Sequence, residues 1–277
     1  LNKRTNVVTE RLRRCALFLL DLDGTLYLGD EVLPGAYDLL RVLQETGRRF
    51  LYLTNNSSRA GEDYVRRLRG LGFPCAPEDV FTSGMATALY LNEHFPGRTA
   101  YVVGTPAFER ELGSFGVPLG DGEDSLVVVG FDRTLTYGKL ERASHLLRRG
   151  AAFIAANPDL TCPMPGGVAL PDCGSICALL TAATGRDPLY IGKPDRRMVS
   201  LCAARAGVPN DRVCCVGDRL YTDMAAAKNA GAVSALLLSG ETTEKMLDGA
   251  AVRPDFVFPN AAALAAALSM KEGIVWN

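Results

Sequence analysis

Cys15-Ala-Leu-Phe-Leu-Leu-Asp21-Leu-Asp-Gly-Thr25 holds the pattern from which the architecture can be worked out. Cys15–Leu20 is a short apolar run that breaks abruptly into two carboxylates one residue apart, a glycine and a threonine. An apolar run that does not alternate belongs to a strand covered on both faces. Strand-like runs of the same kind recur at Arg49–Leu53, Ala100–Val103, Leu126–Val129, Ala152–Ala155, Leu189–Ile191, Arg212–Val216, Ser234–Leu238 and Asp255–Phe258. Amphipathic segments separate them and stop at Gly47, Gly72, Gly150, Gly185, Gly207 and Gly231. Glycine suits a helix end because it accepts a left-handed backbone. Pro34 fits the first turn of the first helix, where no amide donor is needed. Strands alternating with helices predict an α/β fold, a doubly wound parallel sheet with helices on both sides.

Four polar clusters follow four of these runs. They are Asp21-Leu-Asp-Gly-Thr25, Thr54-Asn-Asn-Ser-Ser58, Gly192-Lys-Pro194 and Gly217-Asp-Arg-Leu-Tyr-Thr-Asp223. In an open parallel sheet, ligands bind beyond the carboxyl ends of the strands. Each cluster alone has a plain structural reading: an Asx-turn, a helix N-cap, a strand-ending turn, or carboxylates favoured at a helix start. Together they supply what a metal-bound phosphate requires. Asp21 and Asp23 can face the same side, one attacking phosphorus and the other delivering a proton to the departing oxygen. Thr54 and Asn55 offer neutral phosphate donors, and Lys193 a point charge. A calcium loop fits poorly, because Val32 stands where an EF-hand needs its glutamate.

Electrostatics calls for the cations. A phosphate ester approaching Asp21 brings like charges together, and at ~4 Å each unit pair repels by about 4 kcal/mol at an effective dielectric of 20. That repulsion alone slows attack by roughly a thousandfold. A divalent ion on Asp21 and Asp218, with Lys193 opposite, removes it. Hard oxygen ligands favour magnesium over zinc.

Composition excludes several other classes. The 277 residues are 48% apolar and 22% charged, with a formal net charge of -1, so bulk electrostatics offers nothing to nucleic acid or an anionic membrane. Arg11, Arg13 and Arg14 read as a solvated segment before the first strand. The eight cysteines include no CxxC pair, and several lie in apolar runs, so they read as free thiols in a reducing cytoplasm. His94 and His145 fall in helix-like stretches and read as surface or packing residues. The run Cys15–Leu20 is far too short to span a bilayer.

The four clusters, in this order, resemble the four motifs of haloacid-dehalogenase (HAD) superfamily phosphatases. The resemblance implies Asp21 as nucleophile, Asp23 as general acid and base, and Thr54 and Lys193 on the phosphate. It further implies magnesium held by Asp21, Asp218 and the backbone carbonyl of Asp23, with Asp223 supporting from behind. Within the chain, Thr99-Ala-Tyr-Val-Val-Gly104, Val127-Val-Val-Gly-Phe-Asp132, Ala155-Ala-Asn-Pro-Asp159, Cys173-Gly-Ser-Ile-Cys177 and Gly185-Arg-Asp-Pro188 resemble the NagD-like, 4-nitrophenylphosphatase-like branch. Two positions depart from it. Many relatives have Asn-Gly-Ser where this chain has Cys173-Gly-Ser175. Vertebrate pyridoxal phosphatases carry a histidine where Thr134 aligns, which argues against a vitamin B6 phosphate.

About 140 residues separate Thr54 from Lys193, far more than the dozen or so a crossover needs. The expected organisation is a catalytic core of residues 1–82 and 188–277 with an inserted α/β cap of residues 83–187. Arg133, Asn157 and Asp159 are the expected substrate-specificity contacts in the cap. The loop Asn157–Asp172 is expected to lack regular structure. The branch implies a homodimer through the cap, and nucleoside monophosphates or sugar phosphates as substrates. Phosphotransfer to an acceptor other than water, or phosphate-ligand binding without catalysis, are the competing readings.

Overall fold

The computed structural model describes residues 10–269. By contacts the chain divides into two compact units: Leu1–Leu53, Arg69–Pro74 and Val199–Asn277 form the first, and Thr54–Leu68 with Cys75–Met198 the second. The second unit thus takes in residues 83–187 together with flanking segments that carry Thr54 and Lys193.

The first unit begins with β1 (Leu17–Leu20) and a small antiparallel hairpin, β2 (Tyr27–Leu28) and β3 (Glu31–Val32). Helix α1 (Ala36–Glu45) then leads to β4 (Arg49–Thr54). The remaining strands of this unit are β12 (Val213–Gly217), β13 (Val233–Leu237) and β14 (Phe256–Phe258). They lie in the order β14-β13-β12-β1-β4, and every pair is parallel. All residues of β1, β12 and β13 are buried, as their unbroken apolar runs require. Gly35, with φ +84°, starts α1, and a Cβ there would lie 2.1 Å from the Ala262 nitrogen. Pro34 therefore sits in the turn before α1 rather than in its first helical turn.

The second unit contains α2 (Gly61–Gly70, whose last residues belong to the first unit), β5 (Val80–Thr82), α3 (Ser83–His94), β6 (Ala100–Val103), α4 (Pro106–Ser114), β7 (Leu126–Val129), α5 (Tyr137–Arg148) and β8 (Phe153–Ala155). Next come β9 (Thr161–Met164), β10 (Val168–Pro171), α6 (Cys173–Thr184) and β11 (Leu189–Tyr190). Its parallel sheet runs β11-β8-β7-β6. Val127, Val129, Phe153 and Ala155 from the sheet pack with Leu146 and Leu147 of α5 and with Ile176 and Leu180 of α6. Burying such side chains stabilises by about 1.5–3 kcal/mol each, which fixes the sheet that carries the loops after β7 and β8.

Helices α7 (Arg196–Ala206), α8 (Ala225–Ala230), α9 (Glu244–Leu247) and α10 (Ala261–Ser269) complete the described chain. The six glycines expected to stop helices all have positive φ, between 64° and 95°. A second expectation also fails. The segment Asn157–Asp172 is not irregular throughout, because β9 and β10 form an antiparallel hairpin pairing Met164 with Val168 and Thr161 with Pro171. Prolines at 163 and 171 hide it in the sequence, yet a two-stranded ribbon tolerates them because each strand has an unpaired edge. Gly166 and Gly167, at φ 81° and 75°, make its turn. Among the described residues no helix is long and apolar enough to cross a membrane.

Candidate active site

The parallel register brings two acidic loops together in the first unit. Leu20 of β1 pairs with Val216 of β12, and the Asp21 N–H extends the ladder to the Val216 carbonyl at 2.9 Å. Asp21 and Asp218 therefore leave adjacent strands at the same edge. After Asp23 the chain turns at Gly24 (φ +87°), whose N–H donates to the Tyr27 carbonyl at 2.9 Å. The wide turn Leu220–Met224 returns Asp223 toward Gly217, and the Arg219 N–H donates to Asp223 Oδ2 at 3.2 Å.

The outcome is one cluster. Carboxylate oxygens of Asp21, Asp218 and Asp223 all lie within 4.8 Å of one another. The Asp23 carboxylate is not one of the three, while Asp223, expected behind the site, shares it. The Thr25 hydroxyl lies 3.4 Å from Asp21 Oδ2 and 3.3 Å from Asp218 Oδ1, joining the two acids. Glycines make room for the close approach. A Cβ on Gly24 would fall 2.5 Å from Asp218 Oδ2, and one on Gly217 would fall 2.3 Å from Asp223 Cγ.

Three carboxylates so placed repel one another by about 3 kcal/mol per pair at an effective dielectric of 20. Burial, and then the neighbouring Asp223, push Asp218 up to about 6, although the Glu241 N–H and Arg219 act in the opposite direction. Burial works against the charge of Arg219, but Tyr221, Asp21, Asp218 and Glu241 hold its guanidinium well above its ordinary range. A donor set of carboxylate oxygens without sulfur or imidazole fits a hard divalent cation such as magnesium.

In the second unit, the residues expected on a phosphate are buried and closely tied. Thr54, at the end of β4, is 3% exposed, and its hydroxyl accepts the Asn56 N–H at 3.1 Å. The Asn55 amide reads the backbone of Lys193 from both sides: Oδ1 accepts its N–H at 2.8 Å, and Nδ2 donates to its carbonyl at 2.9 Å. The same Nδ2 donates to Asp159 Oδ2 at 3.0 Å. Gly192 is needed beside it, since a Cβ there would meet the Ala156 carbonyl at 2.5 Å and Asn55 Oδ1 at 2.7 Å. The Asn55 side chain thus holds the backbone of Lys193.

The three residues expected at the substrate behave differently. Asn157 is fully buried, donating to the Asn55 carbonyl at 2.7 Å and accepting the Asp159 N–H at 3.1 Å. Asp159 is buried against Asn55. Asn157 turns inward because it satisfies buried main-chain groups of Asn55 and of its own loop. Arg133 is exposed. Beside it Asp132 is engaged by Lys139, whose ammonium lies 2.7 Å away and also donates to the Gly104 carbonyl at 2.7 Å. Spacing and composition gave no sign of this ion pair, of the shared hydroxyl of Thr25, or of the Ser83 hydroxyl, which donates to the Asn55 carbonyl at 2.7 Å.

Residues 18–118 match the haloacid dehalogenase-like hydrolase family, and residues 190–264 match the HAD-hydrolase-like family. The chain belongs to the haloacid dehalogenase-like hydrolases. Among relatives in this HAD family, the dihydroxyacetone phosphatase of Corynebacterium glutamicum is 37% identical over 90% of this chain and 90% of its own length. A 5'-nucleotidase of Bacillus subtilis is 35% identical over 83% of this chain and 90% of its own. The 4-nitrophenylphosphatase of Thermotoga maritima superposes with a TM-score of 0.89 at 44% identity, covering 94% of this chain and 99% of that one. A glycerol phosphate phosphatase of Mycobacterium tuberculosis, solved with magnesium, gives 0.84 at 33% identity over 92% of this chain and 77% of its own. These similarities lie within the NagD-like branch of HAD phosphatases, enzymes that hydrolyse phosphoric monoesters and generally depend on magnesium.

Proposed function

We propose that this chain is a magnesium-dependent phosphomonoesterase that hydrolyses a small phosphorylated metabolite through a phospho-aspartate on Asp21. The observation that carries the reading is the Asp21, Asp218 and Asp223 cluster at the ends of β1 and β12. Asp21, Asp218 and the Asp23 carbonyl would hold the cation, with Asp223 in support. When bound, magnesium supplies the positive charge that lets an anionic ester approach an anionic nucleophile.

One Asp21 oxygen attacks phosphorus while the P–O bond to the leaving group breaks. Asp23 gives that leaving oxygen its proton. Asp23, now a carboxylate, takes a proton from water, which attacks phosphorus; the bond to Asp21 breaks and phosphate departs. Thr54, the Asn55 main chain and Lys193 orient the phosphate. Their tight internal bonds suit that task, because positioned donors need no rearrangement during reaction.

Residues 83–187 serve in this reading as the cap that selects the leaving group, with exposed Arg133 as a substrate contact. Asn157 and Asp159 act instead through Asn55 and Lys193. The names of the relatives, spanning a triose phosphate, nucleotides and an aryl phosphate, support a small phosphate ester of the sugar phosphate or nucleoside monophosphate class. The test is turnover of 4-nitrophenyl phosphate with magnesium by the purified protein and by Asp21→Asn. The reading expects a loss of at least about ten-thousandfold in kcat for the variant; equal turnover by both proteins sinks it.

A further inference from the structure

The strand β13 also ends at the edge where Asp21 and Asp218 leave the sheet, and the chain runs on through Leu238 into Ser239-Gly-Glu-Thr242. The Glu241 N–H donates to Asp218 Oδ2 at 2.7 Å, and the Thr242 N–H donates to the Asp218 carbonyl at 3.2 Å. The Ser239 hydroxyl donates to the Gly24 carbonyl at 3.2 Å. Gly240 allows this closeness: a Cβ there would lie 2.0 Å from Asp218 Oδ2 and 2.6 Å from the Gly24 carbonyl oxygen. The Glu241 carboxylate in turn meets Arg219 at 2.9 Å, tying the segment to the residue after Asp218.

These contacts treat the two oxygens of Asp218 unequally. Oδ2 is held by the Glu241 N–H. Oδ1 is the oxygen joined to Asp21 Oδ2 through the Thr25 hydroxyl. We infer that Ser239–Thr242 is a positioning element for the cation site: it fixes the rotation of the Asp218 carboxylate so that Oδ1 faces Asp21, and thereby sets cation affinity. The inference rests on the proposed cation site. It adds residues outside the four motifs, and it assigns Gly240 and Glu241 positioning roles rather than catalytic ones.

The contributions separate by substitution. Gly240→Ala places a methyl where the Asp218 carboxylate stands. Glu241→Ala keeps the main-chain donor but removes the ion pair to Arg219, and Glu241→Gln keeps the length and polarity of the side chain without its charge. Magnesium dissociation constants are measured by titration calorimetry on the metal-free protein, beside thermal melts with and without magnesium, and KM for 4-nitrophenyl phosphate at saturating magnesium. Outer-shell groups of this kind alter metal affinity by roughly 10–100-fold. Gly240→Ala is expected to weaken magnesium at least about tenfold, Glu241→Ala by a smaller factor that Glu241→Gln partly restores, and KM to change by less than about twofold. Folded Gly240→Ala with wild-type magnesium affinity overturns the inference. Should that variant not fold, unchanged affinity in Glu241→Ala overturns it equally. An Asp218→Asn control separates the two levels: if it binds magnesium as the wild type does, the cation site itself is wrong; if it loses magnesium while the loop variants do not, only the positioning role falls.

Discussion

The acidic cluster of the first unit, with Asp218 and Asp223 buried and Asp21 half-buried, and the buried Asn55–Lys193 network of the second balance charge in different ways. In the first, Asp21, Asp218 and Glu241 act on the one guanidinium of Arg219 while Asp223 adds a further carboxylate, and burial followed by Asp223 raises Asp218 to about 6. In the second, an amide couples to the backbone of a lysine and to a carboxylate, with main-chain partners at 2.7–3.1 Å around it. Excess negative charge marks a place that takes a cation. In the proposed reading, the Lys193 backbone held by Asn55 is a rigid frame for an anion.

The contrast can be broken most forcefully at Asp218. Asp218→Asn should weaken magnesium by more than about a hundredfold, since removing a direct ligand exceeds the usual outer-shell cost. The readout is calorimetric titration, and the variant's metal-free melting temperature should rise because a buried like charge is gone. The corresponding change in the frame, Asn55→Ala, should leave magnesium affinity within about threefold. It should lower kcat/KM by about 10–100-fold through a displaced Lys193, and it leaves buried groups of that backbone without their partner, a cost of about 1–3 kcal/mol each. If Asn55→Ala changes magnesium affinity and leaves kcat/KM untouched, the division of labour is reversed.

A finer test uses pH. Asp218 moves from an ordinary 3.8 to about 6 on folding, which corresponds to about 3 kcal/mol. Because the folded value is the higher one, this stability is present below pH 4 and is lost as pH rises through about 6. Magnesium should abolish the loss by favouring the ionised acid. The second unit holds a comparison group. Glu111, buried between the Thr82 hydroxyl and the Gly61 N–H at 2.7 Å each, is pushed up to about 7 chiefly by burial. Its destabilising slope, between about pH 4.5 and 7, should be indifferent to magnesium and should flatten in Glu111→Gln. Melting temperature against pH, with magnesium or with chelator, checks both groups at once.

Much of this was legible in the sequence. Each of the nine apolar runs overlaps a strand, most clearly at the wholly buried β1, β7, β12 and β13, where covered parallel strands leave unbroken hydrophobic segments. The four polar clusters were legible because each breaks an apolar run abruptly, two of them with carboxylates and two with hydroxyl, amide or ammonium groups. The hairpin Thr161–Pro171 was not, since its exposed ribbon carries prolines and no strict alternation. Asn157 and Asp159 stand out as polar loop residues, but whether a loop amide faces a ligand or its own chain depends on packing that no spacing encodes. Ser239–Thr242 gives no such signal although it lies just past a recognisable strand. Its contacts with Asp218 come from main-chain donors and a missing Cβ, and the side-chain contacts of Ser239 and Glu241 follow no motif spacing.

The decisive experiment is acid quenching of a single turnover with a phosphate-labelled ester, followed by peptide mapping. The account predicts transient label on the peptide carrying Asp21, absent in Asp21→Asn and chased by unlabelled substrate. Full turnover with label on another residue, or with no covalent label at any time point, is incompatible with it.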